Sequence, residues 1–181
     1  MTLTATTECH SHARTGRHRS TRPRTLHLID VENMVAGRVA TRSVADMWSE
    51  FVDVLAPRWD DQATVSVAQR NAATAFLALP AGVRRVVGSN TADGADEALL
   101  DSADTEWIAG HFGRVVIGSG DHIFAPLADS LRTKGLTVVQ AIGGGRCSAA
   151  LYRACSEHTY LTRTRAAASA RRGSRPTSVA I

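Results

Sequence analysis

The chain has 181 residues, with 21 Lys and Arg against 17 Asp and Glu, a formal net charge of +4. That length fits one domain of about 100–150 residues plus unstructured ends. No run approaches the ~18 apolar residues of a membrane span, no secretory h-region is present, and three cysteines without a secretion signal argue against a disulfide framework and for a cytoplasmic protein.

The charge is unevenly spread. Residues 1–24 carry Arg14, Arg17, Arg19, Arg22 and Arg24 against Glu8 alone, and residues 162–181 carry Arg163, Arg165, Arg171, Arg172 and Arg175 with no acid. Between 25 and 161 stand eleven basic and sixteen acidic residues, so an acidic core of −5 lies between two basic arms. Both arms lack the apolar surface that offsets ordering entropy and are expected to be disordered, with either solubility or attraction to phosphates as their role. Cys9, His10 and His12 lack second-half ligands at a finger-like spacing and read as no metal site.

From Thr25 onward, strand-like and helix-like segments alternate, the pattern of a parallel sheet with helices on both faces. The first strand, 25–30, is apolar until it delivers Asp30, followed by Val31-Glu32-Asn33. A helix over 43–56 stops at Pro57, a strand follows at 63–68, and a helix over 70–79 stops at Pro80. The strand at 83–87 carries Arg84 and Arg85 and reads as an edge. A helix over 95–109 puts Asp96 in line with Leu100, Ala103 and Trp107, while Asp93, Glu97, Asp101 and Asp104 form a solvated stripe. Asp96 is either a helix-start device or a carboxylate aimed into a crevice.

The strand at 114–118 runs into Ser119-Gly120-Asp121, a second carboxylate at a strand end, where open α/β sheets place their chemistry. Helices at 124–134 and 147–156 and strands at 136–141 and 158–161 complete one three-layer α/β sandwich with a mainly parallel, Rossmann-like sheet. The first and fourth strands, buried on both faces, are expected to be neighbours across a topological switch. Cys147 and Cys155, roughly 12 Å apart along one helix, read as core filler, and Trp48, Trp59 and Trp107 as packing residues.

Asp30, Asp96 and Asp121 brought together would repel unless protonated or neutralised by a cation. An all-oxygen set suits Mg²⁺ or Mn²⁺, which activates water for phosphodiester hydrolysis. Asn33 either orients that water or holds its loop. Ser119, His122 and Arg146 are the candidate nucleic-acid contacts; His122 is otherwise an exposed loop residue, and Gly143-Gly144-Gly145-Arg146 either a phosphate cradle or a flexible loop.

Asp30-Val31-Glu32-Asn33, Gly94-Ala95-Asp96-Glu97-Ala98-Leu99 and Gly118-Ser119-Gly120-Asp121-His122-Ile123-Phe124-Ala125-Pro126-Leu127, then Gly135-Leu136-Thr137-Val138, resemble the NYN domains of the PIN-like nuclease superfamily over residues 25–161. The resemblance implies a parallel sheet between helices, a metal-dependent acidic pocket of Asp30, Asp96 and Asp121 with Asn33 beside it, and RNA as substrate. The chain departs from the pattern where His122 and Ile123 stand in place of Ser-Asp, removing one possible ligand. Two functions follow: a metal-dependent endoribonuclease, or a degenerate NYN domain that binds nucleic acid or protein. A phosphatase or receiver-like domain ranks below both, because the lone Lys134 lies at the far end of a helix.

Overall fold

A computed structural model describes residues 23–173. Strand β1 (Thr25–Asp30) is buried along its whole length and turns directly into a short helix, α1 (Val31–Met34). Helix α2 (Thr41–Leu55) buries Val44, Met47, Phe51 and Leu55 at helical spacing, and left-handed Ala56 ends it before Pro57. Then come β2 (Gln62–Ala68), a 3-10 turn over Gln69–Asn71 leading into α3 (Ala72–Phe76), and β3 (Arg84–Gly88). The second half comprises α4 (Gly94–Asp101), α5 (Thr105–His111), β4 (Arg114–Gly118), α6 (Ala125–Thr133), β5 (Thr137–Ile142), α7 (Ala149–Ala154), β6 (Glu157–Tyr160) and α8 (Thr162–Gly173).

The six strands form one sheet in the order β3-β2-β1-β4-β5-β6, every pair parallel. The chain winds outward from β1 to β3, returns to set β4 against β1, and winds outward again. The reversal between β1 and β4 is the switch point, where the diverging connections leave a crevice at the carboxyl ends of the strands. The period-2 alternation of strand side chains assigns each residue to a layer. Ile29 and Val116 face the core under α2 with Met47 and Phe51; Leu28, Val115 and Ile117 face the core under α4–α7 with Leu99, Phe124 and Leu131. Full burial of each such side chain contributes about 1.5–3 kcal/mol. The three-layer α/β architecture, the neighbouring β1 and β4 and the β3 edge match the sequence reading. Among the described residues no helix is long and apolar enough to cross a membrane.

Four expectations need correction. The helix over 95–109 is two helices, because the Asp104 carboxylate accepts the N–H groups of Glu106 and Trp107 and starts α5, while the Ser102 hydroxyl bonds the Leu99 carbonyl. Trp107 therefore leaves the Asp96 stripe and stacks, half exposed, on His111. Trp59 is 95% exposed rather than packed, in the turn stitched by Arg58, Asp60 and Asp61. Cys147 is exposed, whereas Cys155 is core, its thiol pushed up by burial to about 12.

The fourth correction concerns residues 162–173, expected within an unstructured tail, which form α8. Its N–H groups find a partner far away in sequence. Glu50 on α2, 2% exposed, accepts from Arg163 N (2.8 Å), Thr164 N (2.7 Å) and Thr164 Oγ1 (2.7 Å). Burial alone would raise the Glu50 carboxyl, but these hydrogen bonds and the Arg163 charge outweigh it and hold its pKa below the ordinary value. Window composition could not reveal a cap supplied 113 residues upstream. The arm over residues 1–22, the rest of the tail from 174, and the Cys9, His10 and His12 cluster lie outside the described residues.

Candidate active site

The connections that follow β1, β4 and β3 each carry a carboxylate at the carboxyl end of the sheet. Asp30, 3% exposed, ends β1 and caps α1: its Oδ1 accepts from Asn33 N (3.1 Å) and its Oδ2 from the Ser119 hydroxyl (3.0 Å). Asp121 follows β4, and its Oδ1 accepts from Ile123 N (3.1 Å) and meets His122 Nδ1 at 2.8 Å. Asp96 sits in the first turn of α4, on its buried side with Ala95 and Leu99. Gly88 lets that turn approach β3, since a Cβ there would collide with the Gly94 carbonyl.

The Asp96 carboxyl lies beside that of Asp30, and its Oδ1 is buried without a partner. Burial, then the charges of Asp30, Asp121 and Asp93, push the Asp96 carboxyl up to about 8. Burial likewise raises Asp30, although bonds from Asn33, Asp96 and Ser119 oppose it. Two carboxyl groups in one low-dielectric contact cannot both ionise cheaply, so at neutral pH the pair retains a proton.

A cavity of about 370 Å³ opens above this pair, lined by Asp30, Glu32, Asn33, Asp93, Asp96, Asp121, Arg146 and Arg172 among others. A larger cavity, about 600 Å³, lies between α2 and α8 but holds none of the strand-end carboxylates. The smaller one is therefore the candidate site.

Asp30, Asn33, Asp96, Asp121 and Arg146 all line the cavity, as the sequence suggested. Asn33 serves its loop, its Oδ1 accepting from Gly120 N (2.9 Å). Ser119 is fully buried and cannot touch nucleic acid; its hydroxyl donates to Asp30 and accepts from Asp121 N (3.1 Å), tying the two acids together. His122 stands on the rim with its side chain 81% exposed. Ile123 packs against the α4–α7 core, so the position that lacks an acid serves packing instead. Gly143-Gly144-Gly145 is a tight seam rather than a flexible loop: Gly144 N bonds the Met34 carbonyl (2.7 Å), and a Cβ on Gly120 would collide with the Arg146 carbonyl.

Three lining residues escaped the sequence reading. Glu32 accepts from Asn71 Nδ2 (2.6 Å) and Ala68 N (3.2 Å), bracing β1 against β2; its place two residues after Asp30 was the available signal. Asp93 was assigned to the solvated face. Arg172 lay in the supposed tail, and it lines the cavity while donating to the Gly144 carbonyl (2.7 Å).

The donor chemistry fits a hard divalent cation: an orphaned buried carboxylate oxygen on Asp96, the Asp30 carboxylate beside that residue, and no soft ligand among the lining side chains. Mg²⁺ is commonly held by one or two carboxylates plus waters and substrate phosphate, which matches a pair better than a closed cage. Among the described residues no group of three or more His, Cys, Asp or Glu is gathered closely enough to hold an ion. Asp121 Oδ1 is engaged by Ile123 N and His122 Nδ1.

No known protein family and no curated protein matches the chain by sequence. The chain is similar in fold to the crystal structure of a protein of unknown function from Vibrio parahaemolyticus, with a TM-score of 0.56 and 18% identity over 78% of this chain and 95% of that one. That likeness supports the α/β architecture and carries no activity.

Proposed function

We propose that the chain is a metal-dependent ribonuclease of the NYN type, acting in the cytoplasm on single-stranded RNA through Asp30, Asp96 and Asp121. The observation that supports this reading most is the Asp30–Asp96 contact at the switch point, with an orphaned oxygen facing a cavity that also presents two arginines. Asp30 and Asp96 hold the cation, Mg²⁺ or Mn²⁺. When bound, it supplies a water acidic enough to attack phosphorus at neutral pH. Asn33 N and the Ser119 hydroxyl fix the Asp30 rotamer, so the pair is set before substrate arrives. Arg146 and Arg172 receive the non-bridging oxygens of the scissile phosphate, and guanidinium forks suit that geometry. His122, oriented by Asp121, delivers a proton to the leaving oxygen as the phosphorus–ester bond breaks, and the attacking water gives up its own proton to solvent as its oxygen bonds to phosphorus.

An acidic core repels RNA, but α8 changes the balance. Arg165 and Arg172 belong to the fold and stand on the seam beside the cavity. The test is incubation of labelled single-stranded RNA with Mn²⁺ and wild type, Asp96→Asn or Asp121→Asn. Cleavage by wild type that drops at least about a hundredfold in Asp96→Asn, roughly 2.7 kcal/mol of barrier, supports the reading; equal cleavage by all three proteins refutes it as contamination.

A second reading, a degenerate domain that binds without cutting, is favoured by Ile123 packing where the NYN pattern has an acid, and by the lack, among the described residues, of three potential ligands gathered closely enough for an ion. It expects salt-sensitive RNA binding with no hydrolysis, and cleavage gained by Ile123→Asp would identify the missing ligand.

A further inference from the structure

Two tyrosines stand exposed beside the glycine seam. Tyr160 ends β6 in register with Ile142, the residue from which the seam departs, and Tyr152 projects from α7; they are 45% and 39% exposed. Neither ring is loose. Tyr152 stacks on His158 at 3.6 Å between centroids and 15° between planes, and His158 Nε2 lies 2.7 Å from the Tyr152 carbonyl. The Arg165 guanidinium sits 5.4 Å from the Tyr160 ring centre while donating to the Gly143 carbonyl (3.2 Å), and the Tyr152 and Tyr160 side chains lie near each other. Rings already ordered in this way lose little side-chain entropy when a flat partner stacks on them.

This platform and the acidic cavity share one support. Arg165, Ala168 and Arg172 follow at helical spacing on the face of α8 that lies on the seam: Ala168 packs against Gly144, and Arg172 reaches the cavity. Seven residues of helix span roughly 10 Å, within reach of nucleotides flanking a phosphate held at Arg172. The local charge favours a polyanion, since Arg165 lies against Tyr160, Arg153 follows Tyr152 in α7, and Glu157 is engaged by Arg114.

We propose that Tyr152 and Tyr160 form a base-stacking subsite for single-stranded RNA, continuous with the acidic cavity along α8, with Arg165 taking the adjoining phosphate. Aromatic faces accept any base, so the subsite supplies grip without sequence readout. The proposal rests on the reading of the cavity as a phosphodiester site.

The test uses the full chain without divalent cation, so that binding is measured apart from cleavage. Fluorescence anisotropy would follow a labelled oligouridine of about twelve residues and an abasic ribose-phosphate strand of equal length. Tyr152→Ala/Tyr160→Ala is expected to weaken oligouridine binding about tenfold or more, Tyr152→Phe/Tyr160→Phe to retain it, and all three proteins to bind the abasic strand equally. Unchanged oligouridine affinity in the alanine pair, or equal loss on the abasic strand, overturns the subsite. A wild type that cleaves RNA in Mn²⁺ yet ignores both tyrosines overturns the subsite alone; one that neither binds nor cleaves overturns the underlying reading as well.

Discussion

Glu50 and Asp96 are both buried carboxylates on helices that flank the sheet, and their surroundings drive them in opposite directions. Glu50 faces three donors from the first turn of α8 and keeps its charge, its pKa held below the ordinary value. Asp96 faces another carboxylate, has one oxygen without a partner, and is pushed up to about 8. Burial is common to both, so burial alone does not mark a functional acid. The distinction lies in whether the fold supplies the counter-charge: α2 and α8 satisfy Glu50 internally, whereas the switch point leaves Asp96 short of one.

The largest effect that would sharpen this contrast is on stability at Glu50. Glu50→Ala strands three donors, and at about 1 kcal/mol or more each the loss should reach roughly 3 kcal/mol, read as a Tm fall of about 6–12 °C. A Tm within error of wild type would mean that α8 is not docked as described. Asp96→Asn should act in the other direction. Removing the uncompensated acid is expected to raise the Tm of the metal-free protein at pH 8 by a few degrees, even as RNA cleavage is lost; a clear fall in Tm would break the comparison.

The pH dependence follows with its sign. Because the folded Asp96 pKa of about 8 lies above its ordinary 3.8, its contribution to stability is complete below about pH 4 and disappears as pH rises through 8. His27 works from the acid side: burial, against the nearby Asp61, lowers it from 6.5 to about 4, so its contribution is present above 6.5 and disappears as pH falls through 4. Between pH 6.5 and 8.5 His27 no longer titrates and the raised Asp30–Asp96 pair acts, so metal-free wild type should lose Tm across that window and Asp96→Asn should lose less. Identical slopes would contradict the shift. The smallest expected effect is at Arg172. Arg172→Ala should weaken RNA binding a few-fold and reduce the slope of log affinity against log salt by about one, whereas an unchanged slope would place Arg172 in support of the Gly144 seam only.

The parts of this molecule that were legible in the sequence are those written locally. The apolar runs of β1 and β4, the strand-end positions of Asp30 and Asp121, and the inward phase of Asp96 each follow from a few adjacent residues and a period. The break between α4 and α5 was readable in principle, since Asp104 has the chemistry of an N-cap, but the apolar stripe continuing to Trp107 masked it. α8 was not legible: its sequence is Arg- and Ala-rich with little apolar surface, and the group that fixes it, Glu50, lies in another helix. Losing α8 from the reading also hid Arg172 from the site and Arg165 from the tyrosines. Ser119 was misplaced for a related reason, because a hydroxyl at a strand end can face substrate or support a neighbouring acid, and only the fold decides between them.

The most direct test of the central claim is a crystal of the protein soaked in Mn²⁺ at pH 8 and measured at an energy where manganese scatters anomalously. The account predicts a peak bonded to carboxylate oxygens of Asp30 and Asp96, with Asp121 drawn toward it or reaching it through water. A pocket without that peak, in which Asp96 still shares its proton with Asp30, would contradict it.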